Sequence, residues 1–218
     1  MKKIFYFAIC AMALLFASCE QNDLLNSKHR GHEFVDLGLS VKWATCNVGA
    51  NVPEECGDYF AWGETKPKAK YTWENYKWYN SSYETLTKYN TDPYSGTLDN
   101  LTILKKVDDA ATANWGGRWR MPTEEECDEL LDNCTWTWSS KGGYIVTGPN
   151  GNSIFLPAAG YRYDSSREHA GSRGYYQSSS LGLGDPYVAL SLDFASTWRG
   201  GDGDVTRCCG RTVRPVCP

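Results

Sequence analysis

The sequence has few of the residue groups that common catalytic and metal sites require. It contains three histidines in 218 residues, His29, His32 and His169, and none of them stands at ligand spacing from a cysteine. It has no CxxC pair, no GxSxG nucleophile motif and no glycine-rich loop followed by a phosphate-binding lysine. These absences argue against a zinc site, a serine hydrolase and a P-loop nucleotide-binding protein.

Long apolar runs and long basic runs are also scarce. After residue 19 no apolar stretch is long enough to cross a membrane as a helix, and no repeat of fixed period occurs. The formal net charge is -4, and the 22 lysines and arginines form no extended run. We therefore expect no nucleic acid as a partner.

Residues 1–19 have the pattern of an export signal. A short basic start precedes an apolar run and then small residues before Cys19. The ending LFASC resembles the lipobox of bacterial lipoproteins, in which the cysteine is lipidated, although Phe16 stands where Leu or Val is usual. We expect Cys19 to carry a lipid that anchors the exported protein in the outer membrane, at the cell surface. An ordinary cleaved signal peptide is the alternative.

The residues after the signal divide into a tether and one domain. Residues 20–32 are polar and aperiodic and are interpreted as a tether. Residues 33–218 are enough for a single well-buried domain. Aromatic residues make up 14% of the chain, with nine Trp, and there are 21 Gly. This composition is typical of a loop-rich domain anchored by large aromatic side chains.

Nine cysteines in an exported chain predict disulfides. Cys10 lies in the signal and Cys19 would carry the lipid. The seven that remain are Cys46, Cys56, Cys127, Cys134, Cys208, Cys209 and Cys217. An odd number cannot all pair within one molecule, so the connectivity stays open. A Cys134–Cys217 pair would join a helix end to the last strand.

Two short helices are expected near the middle of the chain. The segment LKKVDDAATANWGG predicts a helix that ends at Gly116 and Gly117. Thr123 and Glu126 form a capping-box pattern, which predicts a second helix over residues 124–132. The side chains expected to face inward on this helix are Cys127, Leu130 and Leu131.

Short antiparallel strands account for most of the rest. Apolar periodicity predicts an early strand or hairpin at 34–50, two strands around a turn at 149–151, and a half-buried strand at 187–196. The segment RTVRPVCP predicts a last strand. On the strand at 187–196 we expect Leu190, Leu192 and Phe194 inside, and Ser191, Asp193 and Ala195 outside. The predicted fold class is α+β, with two short helices, short antiparallel strands and long loops.

Five segments carry a family likeness: FVDLGLSVKWATCNVGA, GDYFAWGET, NWGGRWRMPTEEE, IFLPAAGYR and GRTVRPVCP. Together they resemble Bacteroidetes surface lipoproteins that contain a Fibrobacter succinogenes major paralogous domain. That group is similar to C-type lectins and to formylglycine-generating-enzyme-type domains. The resemblance covers residues 33–218 and implies a C-type-lectin-like domain that binds a ligand, without catalysis and without a cofactor. Gln177 departs from it, since relatives usually have Trp there in a YWSS motif.

Some members of this group are variable proteins of diversity-generating retroelements, which mutate template adenines into the 3′ part of a gene. Asn and Lys have the most adenine-rich codons. Residues 20–153 contain 12 Asn and 10 Lys, whereas residues 154–218 contain neither. We interpret residues 154–218 as a variable binding region whose ligand is a protein or a glycan. A plain glycine-rich loop is the alternative for its last part.

Outward side chains of this region are predicted to contact the ligand, because Tyr, Trp and Arg dominate such interfaces. The predicted ligand-binding residues are Tyr163, Asp164, Arg167, His169, Arg173, Tyr187, Ser191, Asp193, Trp198, Arg199, Asp202, Asp204, Arg207, Cys208 and Arg211.

The same region allows three other interpretations. Asp202 and Asp204 imitate the start of a calcium loop, but the further oxygen ligands and the glutamate are missing, so no metal is expected. Formylglycine-generating enzymes use a cysteine pair with copper, a role that the resemblance would give to Cys208 and Cys209. The third interpretation is an undiversified adhesin or structural surface subunit.

Overall fold

A computed structural model describes residues 28–182, 184–201 and 206–218. The predicted export signal, the Cys19 lipidation site and most of the tether lie outside the described residues. Asp202 and Asp204 also lie outside them. Residues 28 and 29, at the end of the predicted tether, pair with the first strand of the domain.

In the described part of the chain the strands are β1 (Lys28–His29), β2 (His32–Val35), β3 (Lys42–Ala44), β4 (Tyr79–Asn80), β5 (Thr85–Leu86), β6 (Thr135–Ser139), β7 (Gly143–Thr147), β8 (Ser153–Pro157), β9 (Tyr161–Tyr163), β10 (Ser166–Glu168), β11 (Arg173–Leu181), β12 (Ala189–Ala195), β13 (Trp198–Gly200) and β14 (Val216–Cys217). The helices are α1 (Ala110–Trp115) and α2 (Glu124–Asn133), with 3-10 turns at Trp73–Asn75 and Lys106–Asp108. The described fold is therefore predominantly antiparallel β with two α-helices, as the strand and helix patterns predict.

Helix α1 ends, and helix α2 begins, at the residues that the sequence predicts. The Oδ1 atom of Asp109 accepts a hydrogen bond from the Thr112 amide at 2.8 Å, which caps α1, and Gly116 ends it at φ 68°. At α2 the Glu126 amide donates to Thr123 Oγ1 at 3.4 Å, and the Thr123 amide donates to Glu126 Oε2 at 2.9 Å. The predicted capping box is thus confirmed.

The strands form small sheets that share one core. The order β1-β2-β3-β14 places the last strand beside the early hairpin, while β6-β7-β8 and β11-β12-β13 form two three-stranded sheets. Helix α2 contacts β11 and β12 and buries Cys127 and Leu130, as predicted. Phe194 on β12 lies at the centre of this core, 5.3 Å from the Tyr144 ring and 5.8 Å from the Tyr176 ring.

The prediction that β12 is half-buried was wrong. Ser191 and Asp193 are 3% and 1% exposed, as buried as Leu192 on the opposite face. The outward face is covered because the Arg211 side chain lies over it and donates from Nη1 to the Ala189 carbonyl at 3.2 Å. Strand β12 is therefore an inner strand with two covered faces.

The start of this strand also differs from the prediction. Ala189, predicted to point outward, is buried like Ser191 and Asp193, and Leu190, predicted to be inside, is only partly buried. The pairing of β11 with β12 is irregular between Gln177 and Leu181, next to these residues.

The predicted disulfides are absent from the described residues. All seven described cysteines carry free thiols. Cys134 packs with Leu130 in the main core, whereas Cys217 packs with Phe34 and Trp119 in a separate cluster. The suggested Cys134–Cys217 pair is therefore wrong, because the two side chains contribute to different parts of the interior.

Candidate functional site

The structure divides the predicted ligand-binding residues into accessible and inaccessible sets. The exposed ones are Tyr163, Arg167, His169, Trp198 and Arg199. The partly exposed ones are Asp164, Arg173 and Tyr187. The buried ones are Ser191, Asp193, Arg207, Cys208 and Arg211. A ligand approaching the folded protein can contact only the first two sets.

Strands β11 to β13 place Arg173 and Trp198 on one face. Arg173 is opposite Ala195, and Ala195 is opposite Trp198, so all three side chains point to the same side of the sheet. Neighbouring strands lie about 4.8 Å apart, which separates Arg173 from Trp198 by about 10 Å. The small Ala195 side chain lies between the arginine and the indole.

The hairpin β9–β10 extends this face. The residue before β9, Gly160, pairs with Gly174 of β11, and its amide donates to the Arg173 carbonyl at 2.7 Å. In β9, Tyr161 and Tyr163 point to the same side because strand side chains alternate. Tyr163 is 54% exposed, among the most accessible aromatic side chains of residues 154–182 and 184–201.

Ring contacts join the hairpin to the sheet. The Tyr161 ring lies 5.2 Å from the Tyr175 ring and 5.9 Å from the His169 ring. The Arg173 Nη1 atom donates to the Tyr175 hydroxyl at 3.3 Å. Burial raises the pKa of the Tyr161 phenol, with smaller effects from neighbours that include Tyr175. The Tyr161 and Tyr175 rings therefore pack against each other and contact the side chains of His169 and Arg173.

We name this surface the hairpin patch. Its members are Tyr161, Tyr163, His169, Arg173 and Trp198. It combines three aromatic rings, an arginine and a histidine, the residue types that carry most binding energy in protein interfaces. Sequence reasoning missed Tyr161, although its alternation with Tyr163 in the segment YRY could have identified it.

Two of the exposed arginines point away from the hairpin patch. Arg167 is opposite Arg162 in the hairpin, so it lies on the face of β9–β10 that does not carry Tyr163. Arg199 follows Trp198 in β13, so its side chain lies on the opposite face of the sheet. There its guanidinium lies 5.8 Å from the centre of the Trp136 ring. Both arginines are exposed, as predicted, but neither lies on the face that carries Tyr163 or Trp198, because adjacent strand residues face opposite sides.

Asp164 and Tyr187 have local partners outside the hairpin patch. The Asp164 backbone exchanges two hydrogen bonds of 2.9 Å with Tyr71, and its carboxylate lies 3.5 Å from Lys70 Nζ. The Tyr187 hydroxyl donates to the Glu84 carbonyl at 3.3 Å, and its ring lies 5.4 Å from the Trp73 ring. Asp164 thus fixes the hairpin turn, and Tyr187 belongs to a separate aromatic cluster.

Arg207 is a core residue and was wrongly predicted to face a ligand. It is 1% exposed. Its Nη1 donates to the carbonyls of Tyr89 and Pro186 at 2.9 and 2.8 Å, and its Nη2 donates to the Lys88 carbonyl at 3.0 Å. Because its N–H groups already donate to these backbone carbonyls, the guanidinium is unavailable to a ligand.

Cys208 and Arg211 lie in the same buried segment, which corrects their prediction as well. Cys208 is 0% exposed and packs in a cluster of tyrosines that includes Tyr71 and Tyr76. Arg211 is 2% exposed, and burial lowers the pKa of its guanidinium while the nearby Asp193 carboxylate raises it. The buried arginines indicate that residues 206–214 are part of the scaffold.

Among residues 28–182, 184–201 and 206–218, no three His, Cys, Asp or Glu side chains are grouped as metal ligands. Within these ranges no helix combines the length and hydropathy that crossing a bilayer requires.

Comparison of the chain with protein-family models, with curated proteins and with solved structures found no match.

Proposed function

We propose that the protein is a lipid-anchored surface protein of C-type-lectin-like fold that binds a protein or glycan ligand through the hairpin patch. The anchor is Cys19, and the protein catalyses no reaction. The observation that carries the proposal is the exposure of Tyr163 and Trp198, two aromatic side chains that are 54% and 42% exposed, with Trp198 on the same face of the sheet as Arg173. Large exposed aromatic rings next to an arginine are costly to leave in water and are typical of recognition surfaces.

The scaffold under the patch supports a binding role. Tyr161 and Tyr175 pack edge to face beneath the exposed residues, and Gly160 holds the hairpin to β11. A surface held in place before binding loses little conformational entropy when the ligand arrives. Tyr and Trp side chains add contact area at low entropic cost for the same reason.

The copper-enzyme alternative is less well supported by the geometry. A reaction at a cysteine pair needs substrate access to both thiols. Cys208 and Cys209 are 0% and 4% exposed. Ligand binding by side chains that are already exposed does not require access to these buried thiols.

A binding screen with the purified full chain in detergent micelles tests the proposal. The probes are an array of immobilised glycans and a library of yeast-displayed peptides. We expect at least one probe to bind the wild type and to lose about 30-fold or more in affinity with the double variant Tyr163→Ala, Trp198→Ala. A 30-fold loss is about 2 kcal/mol, the smallest effect that would count as one hot-spot side chain.

Two other exposed tyrosines provide the control. Tyr83 and Tyr94 are 77% and 93% exposed and lie outside the hairpin patch. The double variant Tyr83→Ala, Tyr94→Ala should bind the same probes as the wild type does. Binding that survives the patch substitutions, or a screen in which no probe binds, would contradict the proposal.

We further propose that the patch was diversified by a retroelement. The support is the lack of Asn and Lys in residues 154–218, against 12 Asn and 10 Lys in residues 20–153. Sequencing the DNA downstream of the gene should reveal a reverse transcriptase beside a repeat of the 3′ end that differs only at adenines. A neighbourhood without both elements would leave an undiversified binding protein or adhesin.

A further inference from the structure

A cleft of about 560 Å³ opens beside helix α1, and none of its lining residues belongs to the hairpin patch. One wall is paired with β11, where the Leu104 amide donates to the Ser179 carbonyl at 2.9 Å. A second wall is paired with β14, where the Arg120 amide donates to the Val216 carbonyl at 3.1 Å. Both walls are therefore held by strand pairing, and the volume lies in the range that small-molecule ligands occupy.

The cleft carries more positive than negative charge. Its basic lining residues are Lys106, Arg118 and Arg120, and its acidic one is Asp109. The Asp109 carboxylate is 5% exposed and accepts two backbone amides, at 2.8 and 2.9 Å. Because this carboxylate is already hydrogen-bonded within the protein, an anion that enters the cleft meets an excess of positive charge.

Two of the three cations are not ion-paired. Arg120 donates to both carboxylate oxygens of Glu126, at 2.7 and 2.5 Å. Lys106 and Arg118 are exposed, and neither forms an ion pair within the part of the chain that the structure describes. Both can therefore contact the anionic group of a ligand, and a guanidinium can bind a carboxylate or a phosphate through two parallel hydrogen bonds.

The same cleft has an apolar contact surface and an unused hydroxyl group. Ile103 and Leu104 line it, and Ile103 is 46% exposed to water. Ser179 also lines it, is 4% exposed, and has no hydrogen-bond partner for its hydroxyl among the described residues. The hydroxyls of Ser178 and Ser180, on either side, are hydrogen-bonded to the backbone. Since polar groups this buried usually have a partner, the Ser179 hydroxyl is free to bind a polar atom of a ligand.

We propose that this cleft binds a small organic anion. One carboxylate or phosphate-type group of the ligand contacts Lys106 and Arg118, and a compact apolar body contacts Ile103. The proposal rests on the presence, in one cleft, of two unpaired cations, an exposed apolar side chain and an unused buried hydroxyl. It does not depend on the hairpin patch binding a ligand.

The ligand needs both of its parts. An ion pair with an exposed lysine or arginine contributes little by itself, because water and salt screen it. An apolar body without charge gains only the burial of its surface against Ile103 and leaves the two cations without a partner. An anion without the body, and the body without the anion, should therefore each bind more weakly than the whole ligand.

Protection of Arg118 from chemical modification tests the proposal on the full chain in detergent micelles. Phenylglyoxal modifies accessible guanidinium groups, and trypsin does not cleave after a modified arginine. Modification of Arg118 therefore replaces the tryptic peptide 107–118 by 107–120, which mass spectrometry quantifies. We expect phenyl phosphate to protect Arg118 in a saturable way, with half-maximal protection at about 1 mM or below. Arg167, exposed on the hairpin, is the internal control and should stay as reactive as it is without the probe.

Fragments of the probe test the ligand class. Inorganic phosphate and phenol should each protect Arg118 only at concentrations at least about 10-fold higher than phenyl phosphate does. Benzoate tests a carboxylate in place of the phosphate ester, and saturable protection by either organic anion supports the proposal.

Two substitutions test the residues assigned to the ligand. Lys106→Gln should raise the half-protecting concentration about 5-fold or more. Lys105→Gln, which removes an exposed lysine that does not line the cleft, should leave it unchanged. Ser179→Ala should raise it about 3-fold without lowering the melting temperature, because the hydroxyl has no partner within the protein to lose.

Four results would overturn the proposal. They are an absence of saturable protection by both organic anions, equal protection of Arg118 and Arg167, protection by inorganic phosphate as strong as that by phenyl phosphate, and equal effects of Lys105→Gln and Lys106→Gln.

Discussion

Replacing Arg207 by alanine should lower the free energy of unfolding by about 3–5 kcal/mol, because each buried acceptor left without a donor costs about 1–3 kcal/mol. The side chain is 1% exposed and donates to the Tyr76 hydroxyl, at 2.8 Å, and to backbone carbonyls. Its guanidinium also lies 4.8 Å from the Trp62 ring. Its loss leaves buried acceptors without donors and opens a cavity beside the indole, and both effects destabilise.

Chemical denaturation monitored by tryptophan fluorescence measures this effect. The control is Arg167→Ala, because Arg167 is exposed on the hairpin, and its removal should change stability by no more than about 0.5 kcal/mol. Arg207→Lys should recover little stability, since an ammonium group cannot reproduce the planar fork of donors. Equal midpoints for Arg207→Ala and Arg167→Ala would show that the buried network does not stabilise the fold.

Substituting Gly174 by alanine should destabilise the protein by about 1–3 kcal/mol, the usual cost of overpacking a core. A Cβ at this position would lie 2.2 Å from Phe194 Cζ and 2.5 Å from Phe194 Cε1. The Phe194 ring cannot move aside easily, because Tyr144 and Tyr176 pack against it. The new methyl group must therefore push β11 away from β12.

Gly200→Ala is the matched control for this substitution. Gly200 lies in β13 of the same sheet, and a Cβ there meets no atom within 4 Å. Both glycines have backbone conformations that alanine accepts, so the difference between the two variants isolates the steric contact. Thermal unfolding of both proteins measures it. Similar melting temperatures would mean that the space around Phe194 can adapt.

Local features of the fold were predictable from the sequence. The capping box at Thr123 and Glu126 predicts the start of α2 because both partners lie within one turn of the chain. The helix end at Gly116 is local in the same way. The two strands around residues 149–151 were also predicted, since their turn signals lie between two apolar runs.

The errors concern residues whose surroundings come from distant parts of the chain. Alternation along β12 predicts an exposed Asp193, but Arg211, eighteen positions later, covers it. Arg207 was predicted to be exposed because arginine usually is. Two of the carbonyls that accept its hydrogen bonds, those of Lys88 and Tyr89, belong to a loop more than a hundred residues earlier, and no local pattern reveals them.

The candidate site was predictable in part. Residue type predicts Tyr163, Arg173 and Trp198 as binding residues. The register places Arg173 and Trp198 on one face of the sheet, and the hairpin that carries Tyr163 pairs with the same sheet through Gly160. His169 contacts the ring of Tyr161 in this hairpin. Arg199 lies on the opposite face of the sheet because of the register between β12 and β13. This register depends on strand pairing, which cannot be derived from the local sequence. The predicted variable region is therefore a buried scaffold around a small exposed patch.

The most direct test of this account is saturation mutagenesis of residues 154–218 in the full chain, displayed on cells and scored for protease-resistant folded protein. The account predicts that Tyr163 and Trp198 accept most substitutions, including charged ones, whereas Arg207 and Arg211 accept almost none. If Arg207 and Arg211 tolerate replacement as freely as Tyr163 and Trp198 do, the buried scaffold is wrong and the binding surface must be redrawn.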